Sequence, residues 1–228
     1  LHLSSASQIT SIALFVTLLL WIALARTNAR YRAPAAVVLL LWWGVSAALA
    51  HSGLLRRFDL RPPPMMLVFV VMTVTAVGTA FSSVGTALIG RVSAGALLAA
   101  QGFRVPLELA MHNAYQQGLL PQQMTYSGYN FEVFTCALAA GVGVLALAGR
   151  APKWLLWVAH LAAAATLLTI MVIAVASTPM VRAFGTAPEQ LNVWVLGFPA
   201  VYLPTVCVTF ALLSHVLLTR SLLRTSSH

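Results

Sequence analysis

Residues 93–120 read SAGALLAAQGFRVPLELAMHNAYQQGLL, and whether this stretch crosses a membrane decides the fold of the whole chain. Its first half is small and apolar. Its second half carries Arg104, Glu108 and His112 at i, i+4 and i+8. On a helix these three share one face within an arc of about 80°. Ionisable groups at lipid depth are rare, and they usually face the protein interior, where they pair or carry function. Pro106 deprives the Gly102 carbonyl of its helical donor and predicts a bend.

The rest of the chain says that lipid is the right solvent to consider. Of 228 residues, 60% are apolar and 7% are charged, and the mean hydropathy is +0.90. A soluble domain carries about 25% charged residues. So few charges cannot cover a water-facing surface, which predicts an all-α, polytopic transmembrane bundle. The net charge of +9 would suggest nucleic acid in a soluble protein. Here the arginines lie at the ends of apolar segments, where topology and lipid headgroups account for them. No nucleic-acid partner is expected.

Working outward from 93–120, the predicted spans are 7–25, 35–55, 65–89, 93–120, 130–147, 154–176 and 194–218, in one transmembrane domain. The first lacks a basic n-region and is expected to be a helix of the mature protein rather than a signal peptide. Pro62, Pro63 and Pro64 stop the second span and force an extended connector. Gly78, Ser82, Thr86 and Gly90 form a small-residue stripe on the third, predicting close helix contact. Pro199 and Pro204 break the seventh.

The basic residues choose between six spans and seven. With seven spans and the N-terminus outside, one side holds Arg26, Arg30, Arg32, Arg91, Arg150, Lys153, Arg220 and Arg224. The other side holds Arg56, Arg57, Arg61 and Arg182. Without 93–120 the charges divide almost evenly. The positive-inside rule therefore favours seven spans, N-out and C-in, with a short outer N-terminal tail. Compact loops suggest a cell membrane, specifically a prokaryotic inner membrane.

Depth follows from this topology at about 1.5 Å per residue. Arg104, Glu108, His112, Asn130 and Glu132, with Tyr115, are the expected ligand or proton site. Tyr126 and Tyr129 could close it. His51 joins His112, Glu108 and Glu132 as a candidate metal set, since nitrogen and oxygen ligands suit zinc, copper or iron. His160 and His215 fall at similar depth on consecutive helices, the arrangement that axial ligands of a b-type haem would need.

Three functions are compatible with the pattern. The first is a protein binding a small molecule or an ion, with proton-coupled transport as its extension and Glu108 as the titrating group. The second is a metal- or haem-binding redox protein. The third is a structural or helper subunit, in which Arg104 and Glu108 pair with each other, the cluster serves packing, and a partner subunit, a second copy or a lipid headgroup covers it. Several enzyme classes lack their marks: there is no G-x-S-x-G elbow, P-loop, H-E-x-x-H or C-x-x-C-H. A retinal protein needs a mid-membrane lysine, and the single lysine, Lys153, starts a helix. Cys136 and Cys207 both lie in apolar segments and read as buried thiols.

Overall fold

The computed structural model describes residues 4–224 and is all-helical, with no strand among them. The first three residues of the expected outer tail lie outside the described part. Nine α-helices are described: α1 Ser5–Thr27, α2 Arg32–His51, α3 Pro64–Phe81, α4 Ser83–Ile89, α5 Ala94–Ala100, α6 Arg104–Gln116, α7 Glu132–Leu147, α8 Lys153–Ala176 and α9 Thr209–Arg224. Five helical segments are long and apolar enough to cross a membrane: Ser5–Thr27, Ala29–His51, Pro64–Phe81, Lys153–Ala176 and Leu203–Arg224. Their outer faces bear exposed Leu40, Val74 and Val172. Water would not tolerate so continuous an apolar coat, and lipid requires it.

Local chemistry explains the boundaries. Ser4 caps α1 by accepting from the Ser7 N–H at 3.3 Å. Pro64 opens α3 at a position where its missing N–H costs nothing. The predicted 65–89 span does not run through. At Ser82 the backbone becomes extended, and the Ser82 hydroxyl caps α4 by accepting from Val84 and Gly85. The stripe of Gly78, Ser82, Thr86 and Gly90 is thus divided between two helices and forms no continuous contact face.

The decisive stretch 93–120 is helical but not straight with its neighbour. Ala94–Gln116 meets Ser83–Ile89 at 102°, either a broken span or a re-entrant loop. Counting that pair as one crossing gives six candidate spans, and α7, at 16 residues, is shorter than each of the five long apolar segments. At about 1.5 Å per residue α7 extends some 24 Å, less than the roughly 30 Å hydrocarbon layer. Pro106 falls in the first turn of α6, directly after a 3-10 turn over Gln101–Phe103. The helix therefore changes winding before the proline rather than kinking at it.

The last span also shifts. Residues 194–201 form a 3-10 turn over Trp194–Leu196 and further turns, and the helix then enters a π turn, Leu203–Val208, leading into α9. Pro204 contributes no N–H within this turn. The Thr205 carbonyl is taken by the Trp42 indole at 2.7 Å and the Thr209 hydroxyl at 2.8 Å. Of the candidate spans this one is the most enclosed, 61% of it buried against 17% for the first three, so α9 is the central helix. Around it, α5 and α7 touch backbone to backbone. A Cβ added at Gly143 would stand 2.3 Å from the Ala99 nitrogen.

Candidate functional site

Arg104 is the largest fully buried side chain, and α6 places it where α6, α7, α8 and α9 meet. Its guanidinium forms an ion pair with Glu132, the first residue of α7. It also donates to the Ala163 carbonyl of α8 at 3.1 Å and approaches His215 Nε2 of α9 at 3.4 Å. One side chain thereby ties four helices together.

The pairing differs from the expected i, i+4 bond between Arg104 and Glu108. Two geometric facts explain this. Helical side chains lean toward the N-terminus, so Arg104 extends away from Glu108. The acid-before-base order is the favourable one on a helix, and here the base comes first. Glu108 instead accepts from the Asn130 amide at 2.7 Å, while its second oxygen has no partner. Asn130 also donates to the Met124 carbonyl at 3.2 Å and accepts from the Glu132 N–H at 3.1 Å. That amide locks the loop before α7 and sets Glu132 in place.

A second line of polar groups leads away from Arg104. His215 and His160 are in contact, Nδ1 to Nδ1, at 3.1 Å, and His160 Nε2 lies 2.9 Å from the Thr219 hydroxyl. Because a guanidinium only donates, it dictates the direction of the whole line. With both rings neutral, His215 accepts at Nε2 and donates from Nδ1. His160 accepts at Nδ1 and donates from Nε2 to Thr219. Thr219 completes the line by donating to the His215 carbonyl at 3.0 Å.

A cavity of about 250 Å³ lies on the other side of the ion pair. Its floor is Arg104 and Glu132, and its remaining wall is almost wholly apolar. All seven methionines of the chain line it: Met65, Met66, Met72, Met111, Met124, Met171 and Met180. Cys207, in the π turn, adds a thiol. Exposed Met66, Val175 and Met180 border the cavity, at the first turn of α3, the last turn of α8 and the loop beyond. The opening is therefore apolar and lies at the ends of two outer helices.

The expected site residues are only partly gathered. Arg104, Glu108, Asn130 and Glu132 form one buried network. His112 turns outward, stacks on Tyr126 at 4.3 Å, and meets Ser127 and Gln116 at 3.2 Å each. Tyr115 lies 5.8 Å from the His112 ring, and Tyr129 packs near Phe184. His51 is exposed and stacks on Phe198 at 4.6 Å. The candidate metal set of His51, His112, Glu108 and Glu132 is thus dispersed. Among the described residues no three His, Cys, Asp or Glu side chains are grouped as metal ligands. His160 and His215 lie side by side on α8 and α9. Their contact is closer than the roughly 4 Å between nitrogens on opposite sides of one metal, twice a bond of about 2.0 Å. They bond to each other instead of standing apart as axial ligands.

Sequence reasoning missed the cavity. Its one linear signal is methionine placement, Met65 and Met66 at one helix start and Met171 and Met180 at one helix end. Those positions become neighbours only in the folded bundle. Comparison with family models, with curated proteins and with solved structures returned no match to this chain.

Proposed function

We propose that this is a membrane protein that binds a small, largely apolar molecule taken from the lipid phase. The observation that carries this reading is the methionine-lined cavity closed by a buried ion pair. Methionine is unbranched, polarizable and adaptable, and it is favoured on surfaces that accept apolar ligands of varied shape. A dry cavity of about 150 Å³ holds benzene, so this one has room for on the order of ten carbon-sized atoms, and its open end allows more. Arg104 and Glu132 satisfy each other and give the cavity a fixed floor. Glu108 stands behind that floor, held by Asn130, and does not line the cavity.

The reading is tested by lipid-phase extraction and native mass spectrometry of protein purified in nanodiscs. The wild type should retain an apolar molecule of low mass. Ala211→Phe, which fills the cavity from a buried lining position, should lose it while remaining folded. An equal yield from both would overturn the reading.

A proton-coupled form of the same function is favoured by one further observation, the unbroken line from Arg104 through His215 and His160 to Thr219. It places two imidazoles that can take up or release a proton beside the ion pair at the floor of the cavity. His160→Phe should then abolish proton uptake or release on ligand binding without abolishing binding itself. We place the protein in a prokaryotic inner membrane on its compact loops, with lipids around its apolar coat.

A further inference from the structure

A second cavity, of about 810 Å³, lies at the loop end of the bundle. Three connections build its wall: Arg56 and Phe58 between α2 and α3, Leu119 between α6 and α7, and Glu189 and Trp194 between α8 and α9. It abuts the methionine cavity, because Phe58 lines both. The strip 191–196 divides them, with Leu191, Val193 and Trp194 on one side and Asn192, Val195 and Leu196 on the other. Two opposite charges stand on the wall of the second cavity. Arg56 and Glu189 are both exposed, so this cavity opens at the surface. A Cβ added at Gly197 would stand 2.9 Å from Arg56 Nη2, which puts the guanidinium against the turn that carries Trp194. Among the described residues neither Arg56 nor Glu189 has an ion-pair partner, whereas the adjacent Arg57 is held by Asp59.

We infer that the ligand is a single-chain amphiphile with a zwitterionic headgroup. The head lies between Arg56 and Glu189, and the chain lies among the methionines. This rests on the methionine cavity being the ligand site. That cavity has room for one short chain, on the order of ten carbon-sized atoms. The two charges select the head. A purely anionic head would meet Arg56 and be opposed by Glu189, and a purely cationic one the reverse. A zwitterion meets both. Because the second cavity is open, its charges keep most of their water and little desolvation is lost. Trp194 suits the boundary between head and chain, since its ring is apolar with one polar edge. Phe58, facing both cavities, gives the chain an apolar surface to cross.

The test uses the full chain in maltoside detergent, whose headgroup is uncharged. Four probes are compared: decylphosphocholine, decyl phosphate, decyltrimethylammonium and phosphocholine without a chain. Dissociation constants come from native mass spectrometry, and ratios between variants cancel the partitioning of each probe into micelles. Wild type should prefer the zwitterionic decyl probe to either singly charged one by about five-fold, the scale of one exposed ion pair. Arg56→Gln should erase the preference over the cation, and Glu189→Gln the preference over the anion. Equal binding of the three heads by wild type, with all three weakened by Ala211→Phe, would overturn this inference and leave the cavity reading standing. Preferences unchanged in both glutamine variants would overturn the roles of Arg56 and Glu189. Phosphocholine bound as tightly as decylphosphocholine would overturn the amphiphile in favour of a soluble zwitterion. If no decyl probe binds, or if Ala211→Phe binds them as well as wild type, the cavity reading fails and this inference with it.

Discussion

Two halves of the bundle solve the packing problem in opposite ways. Where α5 and the 3-10 turn after it meet α7, small residues bring backbones into contact: Gly95 lies against Gly143 and Ala146, and Gly102 against Ala140. Where α3 and α8 flank the π turn and α6, large flexible methionines surround an unfilled volume. Helices in lipid gain little from excluding apolar surface, so association rests on close contact and on polar pairs. The α5–α7 contact and the Arg104 network meet that requirement. With rigidity supplied there, the methionine-lined half is free to stay open.

This contrast is broken most severely at Gly143. Gly143→Val should separate α5 from α7, because the added atoms meet the Ala99 backbone and no side chain can move aside. The expected cost is about 3 kcal/mol or more, read as loss of folded protein in detergent melts. Gly141 is the internal control. It has open space around it, and Gly141→Val should be nearly silent.

Next comes the ion pair at the boundary of the halves. Glu132→Leu leaves Arg104 buried without its partner and should cost about 3–5 kcal/mol. Adding Arg104→Met should recover most of that loss, since replacing both charges by apolar groups is often neutral. A double variant as unstable as the single would mean that Arg104 acts mainly through Ala163 and His215.

The open half should be far more tolerant. Met72→Leu and Met111→Leu are each expected to cost less than about 1.5 kcal/mol in thermal unfolding, while narrowing the range of ligands bound. Equal losses at Met72 and Gly143 would erase the distinction between the halves.

The smallest effect is expected at the surface pair Arg57–Asp59, bonded at 2.7 and 2.8 Å. The Arg57 hydrogen bond holds the Asp59 carboxyl below the usual carboxylate range. Its contribution is thus present above the unfolded-state value and lost as pH falls through the folded one. Both groups are solvent-exposed, so screening leaves little of it. Asp59→Asn should not shift the acid limb of the unfolding curve measurably.

Several elements were legible in advance because their causes are local. The apolar runs and the burial of Arg104 and Glu108 follow from residue type and spacing. The break at Ser82 was not legible, since an apolar stretch with regular small residues looks the same whether or not it bends. The expected pairing of Arg104 with Glu108 failed because spacing on one helix says nothing of a better partner on another. His112 left the cluster for a related reason: its neighbours come from the loop at Tyr126 and Ser127, whose path the linear pattern does not specify.

The amino-acid sequence by itself determined that this chain is helical, that lipid is its solvent, and that Arg104 and Glu108 need an interior. Composition and periodicity suffice for that, because a backbone in hydrocarbon must satisfy its own hydrogen bonds. Only the tertiary structure decided that Glu132 takes Arg104, that two histidines touch, and that seven methionines enclose one cavity. Those are contacts between residues far apart in the chain, and their geometry exists only once the helices have packed.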